Sequence, residues 1–389
     1  MEPQPPNRTA RASAVAAGSI VGAAATASRL GIANPLLVVA GVAGWLAWRR
    51  GELRGRPSAR ALVPPLVLFT AASLLSVVFS LDPLESLDKT PRLAVLLLVP
   101  LSAALIDRVW WPRLVAAVAV ATTVLAAWGI VQYLQGANDL GHRIQGPLSH
   151  YMLFAGCVLL GSVVAIAELL LNPSRRVWLL LPPALLGPVA LLLSYTRNAW
   201  VGLAAALLVL AAVWRRRLLL LYPVIALALW LVFPRSVLDR VVSIFDLRQS
   251  ANYDRVCMAI SGVQMIHDYP ITGVGLDMVD RLYPLYRRDD APRWTVPHLH
   301  NNVLQIAAER GLPALAAYLW LLGAFLTVSW RGLPLLSGRR RAAVAASLAA
   351  VLAISVAGLF EYNFWFANVQ YTMLVLMGAG VGQVEGANA

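Results

Sequence analysis

Charge is what this chain has least of. Only 13% of its 389 residues are Asp, Glu, Lys or Arg, about half the share in a soluble globular protein, which excludes an ordinary soluble enzyme. A disordered chain is excluded too, because 59% of the residues are hydrophobic and mean hydropathy is +0.69, the reverse of what disorder requires. Cysteine is nearly missing. Cys157 lies in an apolar run and Cys257 in a polar segment, so neither a disulfide scaffold nor a bridge between them is expected. Lysine is rarer still, Lys89 being the only one, and 19 acidic residues stand against 32 basic ones. The resulting net charge of +13 is compatible with nucleic acid, anionic lipid or membrane topology as its cause.

What the chain has in plenty is apolar runs near the ~20 residues that cross a bilayer. Twelve candidate spans follow one another, at roughly 12–30, 33–48, 61–80, 92–107, 114–134, 149–171, 177–194, 198–213, 217–234, 312–330, 342–361 and 366–384. They predict an all-α fold, a polytopic integral membrane helical bundle of about 12 transmembrane helices. The first run, with Arg8, Arg11 and small residues at 25–28, also fits a cleavable signal peptide. One long polar insert interrupts the series, so the expected organisation is a bundle over 1–234, an insert with interfacial helices over 235–311, and three further spans with a short tail over 312–389.

Basic residues in short loops set orientation. One side collects 18 of the 32, including Arg215-Arg216-Arg217 and Arg339-Arg340-Arg341. The short loops of the other side hold only Arg29, Lys89, Arg92, Arg143 and Arg197. Both termini are therefore expected in the cytoplasm and the insert outside. Once its five acidic residues are set against it, the basic side carries the whole +13. The excess is a topology signal, and no nucleic-acid partner is expected.

The few cations on the sparse side need a reason. Charges at the hydrocarbon edge face a partner or a wet cavity or snorkel as anchors, and converging guanidinium groups clamp phosphate oxygens. Arg143, in His142-Arg143-Ile144, reads equally as a solvated loop charge. Within the insert, Asp254 to Ile266 has helical apolar spacing and is expected on the bundle or in the membrane interface. Gly273-Val274-Gly275 makes a tight turn but lacks the Lys-Ser/Thr pair of a P-loop. Farther on, Asn302 with Gln305 predicts a capped helix start, Gly311 its end and Pro313 the start of the next span. His300 then stands at the mouth of a helix. His298 lies two residues away, but no third and fourth ligand at metal-site spacing follows. Asp289-Asp290 sits among Arg287, Arg288 and Arg293, which neutralise it.

At these residues the chain resembles the O-antigen ligase family, within the wider group of periplasmic glycan ligases and polymerases. His300-Asn301, nine residues, then Gly311 is similar to that family's histidine motif. The link Tyr195-Thr196-Arg197-Asn198 resembles its arginine-bearing link, and Arg255 followed by Asp268-Tyr269-Pro270-Ile271-Thr272-Gly273-Val274-Gly275 resembles its Arg and Asp-x-Pro-x-x-Gly-x-Gly stretch. Ala314 departs from the family's usual Gly, Thr or Tyr. The resemblance implies a GT-C-like glycosyltransferase of the bacterial inner membrane, with its site on the periplasmic face and no cofactor or metal. Such an enzyme moves a glycan from undecaprenyl pyrophosphate to a sugar hydroxyl of lipid A-core, inverting the anomeric centre. His300 would be the general base, Arg197 and Arg255 would hold the pyrophosphate, and Lys89, Arg92 and Arg143 are further candidates for that clamp. Tyr269, Tyr283, Tyr286 and Trp294 could stack on sugars or form an interfacial belt. An O-antigen polymerase or a protein O-oligosaccharyltransferase shares the donor chemistry. Twelve spans also fit a secondary transporter, but the halves differ and midplane ionisable groups are nearly missing.

Overall fold

The computed structural model describes residues 11–53, 57–172, 177–215, 217, 246 and 250–384. Of the expected ninth span, 217–234, all but Arg217 lies outside the described residues, as do Arg8, Arg175, Arg176 and Arg216. Without water to satisfy peptide groups in hydrocarbon, apolar runs must close their hydrogen bonds internally, and helices account for all the regular structure among the described residues. They are α1 (Arg11–Ala25), α2 (Leu30–Arg49), α3 (Pro57–Arg60), α4 (Val63–Val78), α5 (Pro83–Asp88), α6 (Leu98–Leu105), α7 (Trp111–Leu134), α8 (Tyr151–Leu171), α9 (Val177–Leu193) and α10 (Arg197–Trp214). After these come α11 (Ser250–Asp268), α12 (Val279–Tyr286), α13 (Asn302–Gly332), α14 (Gly338–Ala357) and α15 (Ala367–Gln383). Seven helices among the described residues are long and apolar enough to cross a membrane. The chain is an all-α polytopic membrane protein.

Burial places α8, α14 and α15 at the centre, because they are covered nearly all round. α14 is alanine-rich and α15 presents Gly378 and Gly382, whose missing side chains let the backbone of α6 approach at Val99 and Ala103, the usual close packing of membrane helices. The outer helices leave Val38, Val67, Leu134 and Trp178 largely uncovered, as lipid-facing surfaces must. The expected fourth span is two pieces, a 3-10 helix over Thr90–Leu97 running into α6. Pro100 has no N–H to give the Leu96 carbonyl, so one α-type hydrogen bond is missing at the junction. The tighter winding lengthens the segment. Eight residues at ~2.0 Å and eight at ~1.5 Å reach about 28 Å, near the ~30 Å of a hydrocarbon core.

The helix ends sort into two faces. At one, Gln383 donates to the Ile106 carbonyl (2.8 Å), Ser58 to Val381 (2.9 Å) and Arg341 to Val213 (2.9 Å). That face also carries Arg108, Arg339 and Arg340 around a shared cavity. At the opposite face α5 docks on the insert, where Leu81 N–H meets the Val274 carbonyl (3.3 Å), Ser86 donates to Leu276 (3.0 Å) and Arg281 pairs with Asp82 and Glu85.

Candidate active site

His300 sits in a strained turn. Its φ of 50° is left-handed, a conformation that costs a non-glycine residue about 1–2 kcal/mol. The three non-glycine residues in this state among the described residues are Tyr195, Asp277 and His300, and each lines a cavity at this face. Strain gathered in that way marks functional sites. The turn is held by its two following asparagines. Asn301 caps α13 by accepting from Leu304 N–H (3.0 Å) and donates to the Leu359 carbonyl (2.9 Å). Asn302 bonds Asn363 (2.9 Å), the Phe364 N–H (3.1 Å) and, through its own N–H, the Gly358 carbonyl (2.7 Å). The cap is thus Asn301 and not Asn302, because the second asparagine is committed to the loop after α14. Gln305 reaches back to the Leu299 N–H (2.6 Å) and forward to Glu309 (2.9 Å).

The tethered loop delivers Glu361, 1% exposed, to the histidine. His300 Nδ1 lies 2.8 Å from Glu361 Oε2. Burial works to raise the Glu361 pKa, but the His300 hydrogen bond and the charges of His300, His298 and Arg255 outweigh it and hold the carboxyl below its usual range. The carboxylate can only accept, so Nδ1 carries a proton, and in the neutral ring Nε2 has the free lone pair. Glu361 also faces His298 Nε2 at 3.4 Å. Burial pushes His298 down to about 4, so it meets Glu361 as a neutral ring, and its Nδ1 accepts the His300 N–H (3.3 Å). Sequence reasoning missed Glu361. The available signal was that it is the only acidic residue between Arg310 and Glu385.

Two cavities of about 250 and 210 Å³ meet at His300 and share Arg197, Asn198 and Arg255. The smaller is polar and adds Arg143, His150 and Arg293, whereas the larger runs off between Val201, Val256, Leu304 and Phe360. Arg197, at the first turn of α10, is buried and bonds Asn252 (2.6 Å). Arg143 stacks on Tyr151 at 4.3 Å and Arg293 pairs with Asp254 (2.6 Å). Among the described residues Arg255 has no carboxylate within ion-pairing distance. Burial lowers the pKa of His150, the cap of α8. Of the cations singled out from the sequence, the structure gathers Arg143, Arg197 and Arg255 around His300.

Lys89 and Arg92 go elsewhere. Lys89 pairs with Asp277 (3.5 Å) and Asp88 (3.7 Å). Arg92 lines a third groove of about 1040 Å³, whose head holds Asp277, His298 and Tyr362 and whose walls are Leu37, Gly41 and Leu101. His298 faces this groove and His300 the other two, so the histidine pair, 4.4 Å between ring centroids, stands as a partition.

The glycine stretch explains the remaining motif. Val274 and Gly275 donate to the Ala308 (2.9 Å) and Glu309 (3.1 Å) carbonyls, and Leu312 N–H bonds Pro270 (2.8 Å). α13 breaks between them at Gly311, with φ 77° and ψ 171°. A Cβ on Gly311 would lie 2.0 Å from the Ile271 carbonyl oxygen, and one on Gly273 would lie 2.3 Å from the Glu309 backbone. Only glycines allow this contact. Beneath it Arg310, fully buried, bonds Glu309 and Tyr362 (3.2 Å each) and stacks on Trp365 at 4.2 Å.

His298, His300 and Glu361 offer three donor atoms all within 4.8 Å of one another, three of the four corners of a zinc site. Arg197, Arg255 and Arg293 oppose a divalent cation there, and the His298 Nδ1 bond puts its proton on the nitrogen a metal would need. The geometry suits a proton acceptor braced by a carboxylate, beside a cation-lined pocket for an anion.

A helical membrane protein with this histidine–carboxylate pair and arginine-lined pocket on one face can be compared with known glycan-transferring families. Residues 182–319 match the family model described as O-antigen ligase, so this part of the chain is similar to that family, whose members transfer glycans. The match includes Arg197, Arg255, His300 and Gly311 but not Arg143 or Glu361. No curated protein matches the chain.

Proposed function

We propose that the chain is an O-antigen ligase that transfers a glycan from undecaprenyl pyrophosphate to a sugar hydroxyl of lipid A-core. The observation that carries this reading is His300, with Glu361 on Nδ1 at 2.8 Å, in a cavity it shares with Arg197 and Arg255. In the reaction, His300 Nε2 takes the proton of the acceptor hydroxyl as its oxygen attacks C1 of the glycan. The bond from C1 to the pyrophosphate oxygen breaks, and Arg197, Arg255 and Arg143 hold the charge that grows on the leaving group. Direct attack inverts C1. The apolar flank of the larger cavity suits the first prenyl units of the donor. The charge asymmetry between the two faces supports a site on the periplasmic side of the inner membrane with cytoplasmic termini.

The groove lined by Arg92 and His298 has a polar head and a long apolar wall, which suits a second lipid-borne substrate and favours a lipid acceptor over a protein one. A polymerase that passes the glycan to another lipid-linked repeat is the second reading on the same observation. Purified protein with undecaprenyl-pyrophosphate glycan should be offered lipid A-core, lipid-linked repeats and a protein hydroxyl acceptor in parallel, in the presence of EDTA. Modified core is the expected product. Full transfer by His300→Ala would remove the base from the mechanism.

A further inference from the structure

A cavity of about 530 Å³ opens at the face opposite the active site. It is built from the link before α7 and the first turn of α7, the link between α13 and α14, the first turn of α14, and the last residue of α15. Arg108, Arg339 and Arg340 supply its charge, while Trp111, Leu335 and Leu336 supply an apolar wall. The wall is fixed from behind, because Trp111 Nε1 donates to buried Glu168 at 2.8 Å. The carboxylate next to Arg108, Asp107, is turned to the Val109 and Trp110 N–H groups at 2.8 and 3.0 Å. Ser337 caps α14 without a side-chain hydrogen bond, which leaves the positive end of a 20-residue helix dipole toward the same space.

We infer that this cavity binds the phosphodiester head group of an anionic glycerophospholipid from the adjoining leaflet. Arginines at a helix start recognise phosphate oxygens, and basic pockets at the ends of membrane helices take acidic head groups. Two features point to a lipid and not to free phosphate. The cavity is far roomier than a bare phosphate needs, and its wall continues into uncovered Leu335 and Val109, which leave a path for an acyl chain. The bound lipid would tie together helix ends that otherwise meet through few polar contacts. Neither the assignment nor its test depends on the transfer reaction.

The test uses the purified full chain, delipidated in neutral detergent, with native mass spectrometry and thermal unfolding as readouts. Phosphatidylglycerol should bind one per chain and raise the unfolding midpoint, whereas phosphatidylcholine and inorganic phosphate should do neither. Replacing both Arg108 and Arg339 with Gln should weaken phosphatidylglycerol binding at least tenfold, at about fivefold per arginine. Arg49→Gln and Arg113→Gln remove cations stacked on Trp45 and Trp110 on the same face and should leave binding unchanged. Leu335→Glu, which blocks the acyl path at an exposed position, is a second probe that does not touch the arginines and should also weaken it. Equal losses in the Arg49 and Arg113 variants would reduce the effect to diffuse surface charge and overturn the site. An equal midpoint shift with inorganic phosphate, or binding that ignores head-group charge, would overturn the lipid.

Discussion

Glu361→Gln is the substitution that separates a braced base from a histidine that merely lies near the substrate. The side chains have the same shape, and the Gln carbonyl can keep the hydrogen bond that Glu361 Oε1 accepts from Tyr362 N–H at 3.1 Å. The amide group then faces His300 Nδ1, where Glu361 Oε2 sat at 2.8 Å. An amide N–H donates, so Nδ1 must accept and the ring proton moves to Nε2, the nitrogen required as base. A charge-assisted hydrogen bond contributes about 1.5–3 kcal/mol, so kcat should fall about 10- to 150-fold. Donor KM should stay near the native value, since nothing that touches the pyrophosphate changes. The assay is the initial rate of glycan transfer to lipid A-core at saturating donor, with the thermal midpoint of the same preparation as a folding control. A well-folded Gln variant with native kcat would refute the reasoning.

Substitutions at four further positions probe the surrounding parts. Arg255→Gln should lower kcat/KM for the donor about 10- to 150-fold through loss of charged hydrogen bonds, and Arg255→Lys should recover only part of it because the planar fork is missing; equal rates for Lys and Gln would argue against phosphate contact. Arg92→Gln should leave donor kinetics unchanged and raise the acceptor KM about fivefold, measured by varying lipid A-core. Gly311→Ala should lower the thermal midpoint or prevent folding, since its φ of 77° and the carbonyl 2.0 Å from the new Cβ both oppose it; the strain alone costs about 1–2 kcal/mol. His298, held at about 4 in the folded chain against 6.5 when free, makes stability fall with acid. The unfolded chain takes up this proton below pH 6.5 and the folded chain does not until about 4, so up to about 3 kcal/mol is lost across that window. Thermal midpoints measured from pH 7 to 4 should fall less steeply in His298→Gln than in the native chain.

Much of the fold is legible because hydrocarbon imposes one rule on every span, and each expected run that lies among the described residues meets a helix at or near its limits, the ninth, 217–234, lying outside them but for Arg217. The exception in form, Thr90–Leu105, shows where the rule stops. Apolar composition says that a segment can cross but does not say in which winding, here 3-10 over Thr90–Leu97 and α over Leu98–Leu105. The site divides in the same way. That His300, Arg197 and Arg255 deserved attention could be read because they are polar residues in local patterns, and the structure brings the three to one cavity. The separation of Lys89 and Arg92 from them could not, since it depends on Asp277 drawing Lys89 to a different rim.

Glu361 shows why a motif can be complete in sequence and incomplete in chemistry. The histidine motif runs from His300 to Gly311, and every residue in it is explained by local geometry: the cap at Asn301, the break at Gly311, the backbone contact with Gly273. None of these sets the tautomer of His300, the proposed base. That falls to a carboxylate 61 residues downstream, carried away along α13 and returned to the same face along α14. Asn301 and Asn302 are what make this distance harmless, because their bonds to Leu359, Gly358, Asn363 and Phe364 fix the loop on both sides of Glu361. If so, Asn302→Ala should behave as a weak Glu361 variant, with a lowered kcat and an unchanged donor KM. A double variant with Glu361→Gln should then lose little more than Glu361→Gln alone, because residues acting through one contact are not additive. Additive losses in that cycle would mean that the asparagine acts on the site by another route.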